Sequence, residues 1–263
     1  MADLTLYTAT TGLKAQQLSL DVLSNDLSNV KTPGYKTSFI AFADLAYIEK
    51  TRASNSAEEN NVFPMNIQIG TGVRPVAISR VATQGAVEET NMPLHIAIDG
   101  KGFFPVLNEV SGQEYYTRSG LFTLDSDGRI VTSDGHVLQP EITISDTVDS
   151  IVINKYGAVF EVFDNVEVEI GQIELAKFIN EDGLQNIGNN LFSETTASGV
   201  PIVEEPGTAD MGFLMQNYLE ASNVDSLDTM LNLVSTQRTY EQLLKVISTY
   251  NDLLQKLNNS YGS

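Results

Sequence analysis

Few residues of this 263-residue chain are equipped for chemistry. There are two histidines, His95 and His136, and no cysteine. A zinc centre on two imidazoles needs carboxylates to complete it, and no metal-ligand spacing supports one. Each histidine reads as a strand or turn residue. Asp125-Ser126-Asp127-Gly128 opens like a calcium loop but lacks the further oxygen ligands and the distal glutamate. A hairpin turn is the expectation there. Gly100-Lys101-Gly102 and Gly70-Thr71-Gly72 do not continue into a phosphate-binding fingerprint and lie among strands. No Gly-x-Ser-x-Gly elbow occurs. The acid pairs Glu88-Glu89 and Glu204-Glu205 fit a solvated surface, although sequence does not separate them from a glycosidase pair. No catalytic residue, metal or cofactor is expected.

Charge narrows the partners. The chain carries 15 Lys+Arg against 34 Asp+Glu, a formal charge of -19. Residues 1–50 and 216–263 are close to neutral, so 8 basic and 24 acidic side chains fall between them. That balance excludes nucleic acid and anionic membrane surfaces as partners. No apolar run approaches the roughly 18 residues of a membrane span, so no insertion into a lipid bilayer is expected. No secretory signal peptide is read at the N-terminus. Absence of cysteine excludes disulfides and leaves the compartment open.

The elements that organise the chain are its two ends. Leu233, Tyr240, Ile247, Leu254 and Tyr261 recur every seventh residue. Leu243, Tyr250 and Leu257 form a second row three positions later. This is an a/d seam, which packs along other helices. Ser222 with Asp225 resembles a capping box, with Asp228 adding charge near the first turn. The predicted helix runs to Tyr261 and spans roughly 55 Å at about 1.5 Å per residue. Leu6, Leu13, Leu20 and Leu27 give the N-terminal end the same period, over about residues 3–29. Gly12 inside it either admits a neighbouring backbone or is a tolerated surface glycine. The N-terminal helix must end before Pro33, and Pro33-Gly34 suits the central pair of a type II turn.

Between the helices the character changes twice. Residues 37–66 hold an apolar cluster, Phe39, Phe42, Leu45 and Tyr47, followed by a polar stretch that reads as a loop. From Ile67 the apolar period drops toward two, as in Ile96/Ile98, Phe122/Leu124, Ile142/Ile144, Ile151/Ile153 and Val166/Val168/Ile170. Asp99-Gly100, Asp127-Gly128, Asp134-Gly135 and Asp182-Gly183 punctuate these runs as turns. The expected fold is α+β: long N- and C-terminal helices forming a coiled-coil-like core, with an inserted all-β domain of sandwich or barrel type. The expected divisions are 1–36 (N-terminal assembly helix and Thr-Pro-Gly turn), 37–66 (connector), 67–212 (β-rich outer domain) and 213–263 (C-terminal assembly helix).

Ser24-Asn25-Asp26-Leu27-Ser28-Asn29-Val30-Lys31-Thr32-Pro33-Gly34-Tyr35-Lys36 resembles the N-terminal signature of the bacterial flagellar rod and hook protein family. Its family-motif positions are Asn25, Asn29, Thr32, Pro33, Gly34 and Tyr35. Glu220-Ala221-Ser222-Asn223-Val224-Asp225, Gln237-Arg238-Thr239-Tyr240-Glu241 and Lys245-Val246-Ile247 resemble the C-terminal signature. Gln68-Ile69-Gly70-Thr71-Gly72-Val73, Gly100-Lys101-Gly102-Phe103-Phe104 and Tyr116-Thr117-Arg118-Ser119-Gly120 extend the resemblance through the middle, nearest to the distal-rod branch. Asp26 stands where the family commonly has Asn, and Asn217 where that branch commonly has Gly.

The resemblance implies a non-enzymatic structural subunit. It would polymerise through its terminal helices into a helical tube, the drive shaft that transmits torque to the hook. The implied partners are further copies of itself, the proximal rod proteins, the hook protein, the surrounding basal-body rings and the flagellar type III export apparatus. The implied place is the basal body, from periplasm to outer membrane, reached without a cleaved signal. Phe42 with Ala46 resembles the family's short export-gate motif, although on frequency alone an ordinary packing phenylalanine is the commoner reading. The expected assembly seams are Leu6, Leu13, Leu20 and Leu27, and Leu233, Tyr240, Leu243, Ile247, Tyr250, Leu254 and Leu257. A proximal rod or hook-type paralogue is the nearest alternative. A soluble β-sandwich enzyme with a helical dimerisation hairpin is the alternative of a different class. Arg74, Arg80, Arg118 and Arg129 are expected near subunit contacts, with the acids facing outward. Proteolysis of the monomer is expected to trim up to about Lys36 and from about Leu219.

Overall fold

The computed structural model describes residues 2–51, 67–145, 148, 150–164, 166–208 and 210–261, without the side chains of residues 2–3, 50–51, 67, 257–258 and 261. Two helices flank a β-rich middle, an α+β arrangement. Helix α1 spans Ala2–Ser28 and helix α2 spans Ser226–Tyr261. All the strand pairs given residue registers are antiparallel.

The chain divides into two compact units. One holds residues 1–27, 38–79 and 226–263. Besides the helices it contains two ribbons, Ser38–Asp44 paired with Val73–Arg80 and Tyr47–Thr51 paired with Ile67–Gly70. The polar stretch expected to be a loop lies mostly in residues 52–66, outside the described residues, but its flanks are ribbon. Tyr47↔Gly70 and Ile48↔Ile69 set the register.

The other unit holds residues 28–37 and 80–225. Its largest sheet has seven strands, in the order Gln185–Gly188, Leu191–Ser193, Gln113–Thr117, Phe104–Asn108, Val137–Leu138, Ile130–Thr132 and Phe122–Leu124. A three-stranded sheet, Ser150–Ile153, Ala158–Phe163 and Val166–Gln172, lies beside shorter pairs. Ile96, Ile98, Phe104, Val106, Phe122, Ile130, Leu138, Val159, Ile173 and Leu175 form one core of nearly inaccessible side chains. Burial of this kind stabilises by about 25 cal/mol per Å² of apolar surface. Ile142 and Ile144 belong to that core without forming a strand. They flank Thr143, whose bridge to Arg129 is isolated.

These units differ from the divisions drawn on sequence at both helix boundaries and at residue 67, since residues 67–79 group with the helices and not with the β-rich unit. The Thr-Pro-Gly turn groups with the β-rich unit, not with α1. Residues 213–225 do the same. Phe213–Gln216 pairs with Ile96–Asp99, and Tyr218–Glu220 pairs with Val87–Glu89. Helix α2 therefore starts at Ser226 and not at Ser222. Ser222 Oγ accepts from Val224 N at 3.3 Å, which closes a local turn in place of a helix cap. Asn217, between the two strands, has φ 67°. Its amide donates to His95 O at 2.8 Å and its carbonyl accepts from Thr90 N at 2.8 Å. Asparagine tolerates that left-handed conformation better than most side chains, which accounts for its standing in a glycine position.

Candidate functional site

Along α2 the covered positions from Thr229 to Leu254 are Thr229, Leu233, Thr236, Tyr240, Leu243, Ile247, Tyr250 and Leu254, with Thr239 beside them. They advance in alternating steps of four and three, which holds one face in register along a helix. Leu257 is helical, but its side chain is outside the described residues. On α1, Leu6, Leu13, Leu20 and Leu27 are half-buried, whereas Ala9 and Ala15 are buried. The two helices meet at Gly12. A Cβ placed there would lie 3.5 Å from Leu243 Cδ1, an ordinary contact with a side chain and not a close backbone approach.

A second apolar face on α2 is bare. Leu227 is 72% exposed and Leu231 69%, and Met230 and Val234 are exposed with them. These four fall at i, i+3, i+4 and i+7, one side of a helix. At 3.6 residues per turn they lie roughly opposite the covered row. The ribbons of the same unit also leave Phe39, Phe42, Tyr47, Ile48, Val76 and Ile78 exposed. Ala46, the other half of the export-gate resemblance, is exposed too, and its carbonyl accepts from Thr71 Oγ1 at 2.7 Å.

The sequence motifs from distant parts of the β-rich unit converge on Glu220, which is 2% exposed. Arg118 Nε donates to Glu220 Oε2 at 2.6 Å, Gly85 N donates to Oε1 at 3.0 Å, and Lys36 Nζ donates to the same oxygen. Arg118 Nη1 donates to Gly102 O at 2.5 Å, and Nη2 to Gly100 O at 2.5 Å and Ile98 O at 3.1 Å. Burial pushes the Glu220 carboxyl up, but the Arg118 guanidinium, Lys36 and the Gly85 amide outweigh it and hold it below the ordinary value. Burial likewise lowers Lys36, against the pull of Glu220.

The same place holds the Thr-Pro-Gly turn. Tyr35 N donates to Thr32 O at 3.2 Å, closing the turn, and Gly34 has φ 73°, the type II geometry. Gly34 N donates to Glu220 O at 2.8 Å, and Asn190 Nδ2 donates to Pro33 O at 2.8 Å. A Cβ on Gly34 would meet the Arg118 carbonyl carbon at 2.8 Å, so both conformation and space require glycine. Asn29 Oδ1 accepts from Thr32 Oγ1 at 3.2 Å, while Asn25 is exposed. Asn223 completes the joint. Its Oδ1 accepts from Thr37 N at 2.7 Å, and its Nδ2 donates to Val81 O at 2.8 Å and Thr83 O at 3.1 Å. In the other unit, Asp26 is 3% exposed and its carboxylate accepts from Ser38 N at 3.2 and 3.3 Å.

Two arginines expected at subunit contacts serve inside the chain. Arg118 is buried on Glu220. Arg129 is surrounded by Glu109, Asp125, Asp127 and Glu141. Asp125 and Asp127 thus sit in an arginine-bound hairpin turn, closed by Gly128 N donating to Asp125 O at 3.0 Å. His95 Nδ1 lies 2.9 Å from Thr90 Oγ1, and burial lowers its pKa. His136 stands edge-on to Tyr115, apart from His95.

The helix α2 and the ribbons of its unit thus leave apolar faces bare that a further protein surface could cover. Comparison with known proteins gives the family. Residues 6–36 match the flagella basal body rod protein model, 97–161 the flagellar hook protein FlgE/F/G D1 domain, and 215–260 the flagellar basal body rod FlgEFG protein C-terminal model. The chain is 44% identical to the flagellar basal-body rod protein FlgG of Caulobacter vibrioides, over 95% of this chain and 96% of that one. It is 40% identical to FlgG of Borreliella burgdorferi, over 97% of each chain. It is 36% identical to FlgG of Bacillus subtilis, again over 97% of each. The chain belongs to the FlgG family of flagellar basal-body rod proteins.

Proposed function

We propose that this chain is a structural subunit of the flagellar distal rod, polymerising through its terminal helices into a helical shaft that carries torque to the hook. The observation that carries the proposal is the pair of opposite apolar faces on α2, only one of which is covered within the chain. The bare Leu227–Met230–Leu231–Val234 face gains about 1.5–3 kcal/mol per large side chain when a neighbouring copy covers it. A face presented to a different surface of the next copy repeats without closing and winds a helix. In each copy α1 and α2 pair through Leu6, Leu13, Leu20 and Leu27 and through Leu233, Tyr240, Leu243, Ile247, Tyr250, Leu254 and Leu257, and the pairs of successive copies pack into a coiled-coil-like core. The ribbons carrying Phe39, Tyr47, Val76 and Ile78 lock adjacent copies. A lone two-stranded ribbon is marginal in water, which supports that role.

In this reading proximal rod proteins and the hook protein meet the ends of the shaft, with basal-body rings around it. Export through the flagellar type III apparatus, with Phe42 and Ala46 as gate contact, brings the chain to the basal body between periplasm and outer membrane. Within the β-rich unit, the turn of Thr32, Pro33, Gly34 and Tyr35 is tied to Glu220 through the Gly34 amide. No catalysis is assigned to any residue. Sedimentation of the purified chain against concentration tests the proposal. Open-ended growth is expected, and Leu231→Asp abolishes it while the β-rich unit keeps its melting temperature. A particle that stops at a dimer at every concentration would speak for the closed dimer of a different protein class.

A further inference from the structure

Both helices carry an exposed row that their own pairing leaves uncovered. On α2 the bare side continues beyond Val234 in steps of four and three, through Arg238, Glu241, Lys245, Ser248 and Asp252, all exposed. It is apolar over its first two turns and charged beyond them. On α1 the exposed positions Thr10, Lys14, Gln17, Asp21, Ser24 and Ser28 also alternate in steps of four and three. That row holds no aliphatic side chain, so it does not match the apolar stretch of α2. Its two charges, Lys14 and Asp21, stand seven residues apart, about 10 Å along a helix. Lys245 and Asp252 have the same spacing on α2. None of these four charges has an ion-pair partner among the described residues.

The two helices run in opposite directions. The segment after α1 is tied to the segment before α2, with Tyr35 O accepting from Asn223 N at 3.3 Å. Helix α1 leads into that tie and α2 leads out of it. They meet again at Gly12 and Leu243, sixteen residues before the end of α1 and seventeen after the start of α2. A helical polymer relates each copy to the last by a rotation about one axis and a rise along it, so helices aligned with that axis keep their direction. In such a polymer α1 of one copy runs against α2 of its neighbour. Aligned in that sense, Lys14 meets Asp252 where Asp21 meets Lys245. A slip of one turn one way sets Asp21 against Glu241, and the other way sets Lys14 against Lys256. Like charges brought together at a contact disfavour both slips.

We propose that the exposed row of α1 in one copy packs along the charged stretch of the bare side of α2 in the next, with Lys14–Asp252 and Asp21–Lys245 fixing the register. This rests on the polymerisation proposed above and names the partner of that stretch. Exposed ion pairs add little affinity. Charges along a helix contact instead choose partner and orientation. The contact is heterologous, α1 of one copy with α2 of another, so it repeats without closing.

Charge reversal in the full-length chain tests the pairing. Asp21→Lys puts a positive charge opposite Lys245 and is expected to raise the critical concentration for polymerisation about fivefold. Adding Lys245→Asp restores the pair with its signs exchanged and is expected to bring that concentration back to within about twofold of the parent. A double variant no better than Asp21→Lys overturns the pairing, as does Asp21→Lys that polymerises like the parent. The chain contains no cysteine, so Gln17→Cys with Ser248→Cys adds the only thiols. Pelleted, oxidised polymer of that variant is expected to give a ladder of dimers, trimers and higher species on a non-reducing denaturing gel. Dimers from Ser248→Cys alone would bring two α2 rows together about a two-fold axis, and pelleted polymer without a ladder would put another surface on these rows. Either result overturns the contact while leaving polymerisation intact. Failure of the unmodified chain to pellet overturns the polymerisation reading and the contact with it.

Discussion

Glu220 takes three donors in a place that water scarcely reaches. Replacing it with glutamine leaves Lys36 and Arg118 buried without their anion. Removing one partner of a buried pair costs about 3–5 kcal/mol. For a unit of this size that lowers the melting temperature by roughly 10 °C, readable by calorimetry. The carboxyl is held below its ordinary 4.5. Its contribution is therefore complete above about pH 4.5 and is lost as pH falls through the lower folded value. Melting temperature of the parent should drop on acidification through that window, and the glutamine variant should show a smaller drop. Asn217 makes a milder case. At φ 67° its replacement by alanine should cost about 1–2 kcal/mol, while glycine should stay within a few tenths by denaturant titration. Neither role was legible in the sequence beyond the motif. Lys36, Arg118 and Glu220 are joined across separations of 184 and 102 residues, and no periodicity pairs positions so far apart. Polar residues amid apolar flanks, as in Tyr116-Thr117-Arg118 and Leu219-Glu220-Ala221, were the available signal.

At the scale of elements, the period of seven was legible because a helix that packs along its length must repeat its apolar face. From Leu233 to Leu254 the four-three row of covered positions on α2 includes the residues of the heptad reading and adds Thr236. The start of α2 was not legible. Ser222 and Asp225 satisfy a capping pattern, but the backbone of residues 218–220 finds strand partners at residues 87–89, which holds the chain extended there. The same pairing changes the expected proteolysis. Trimming of the dilute monomer should stop near Ser28, short of Lys36, and begin near Ser226, beyond Leu219, because both inner segments belong to the β-rich unit. Mass spectrometry of the resistant core reads these ends directly. Gly12→Ala should stabilise the assembled protein, since alanine is about 1 kcal/mol better in a helix and its methyl meets Leu243 at 3.5 Å, an ordinary contact. Ile247→Asp puts a charge on the covered row, at a cost of several kcal/mol when buried. Motility should be lost while the β-rich unit melts unchanged.

For the whole molecule, charge and apolar surface are divided between regions. The 24 acids between the near-neutral ends would crowd together in a polymer. Arg129 alone gathers four of them, and Arg118 is spent within the chain, so fewer cations remain for contacts between copies than the arginine count implies. Residual repulsion should then make polymerisation easier with salt, as the Debye length shortens from about 10 Å at 0.1 M to about 3 Å at 1 M. Light scattering across that range reads the sign, and dissolution at high salt would show that specific ion pairs dominate. The central claim is that the bare face of α2 is completed by another copy. Hydrogen exchange of the amides of α2, in dilute monomer and in polymer, tests it most directly. The account predicts fast exchange in the monomer and protection greater by orders of magnitude in the polymer, first across Leu227–Val234. Equal protection of those amides in both states would contradict it.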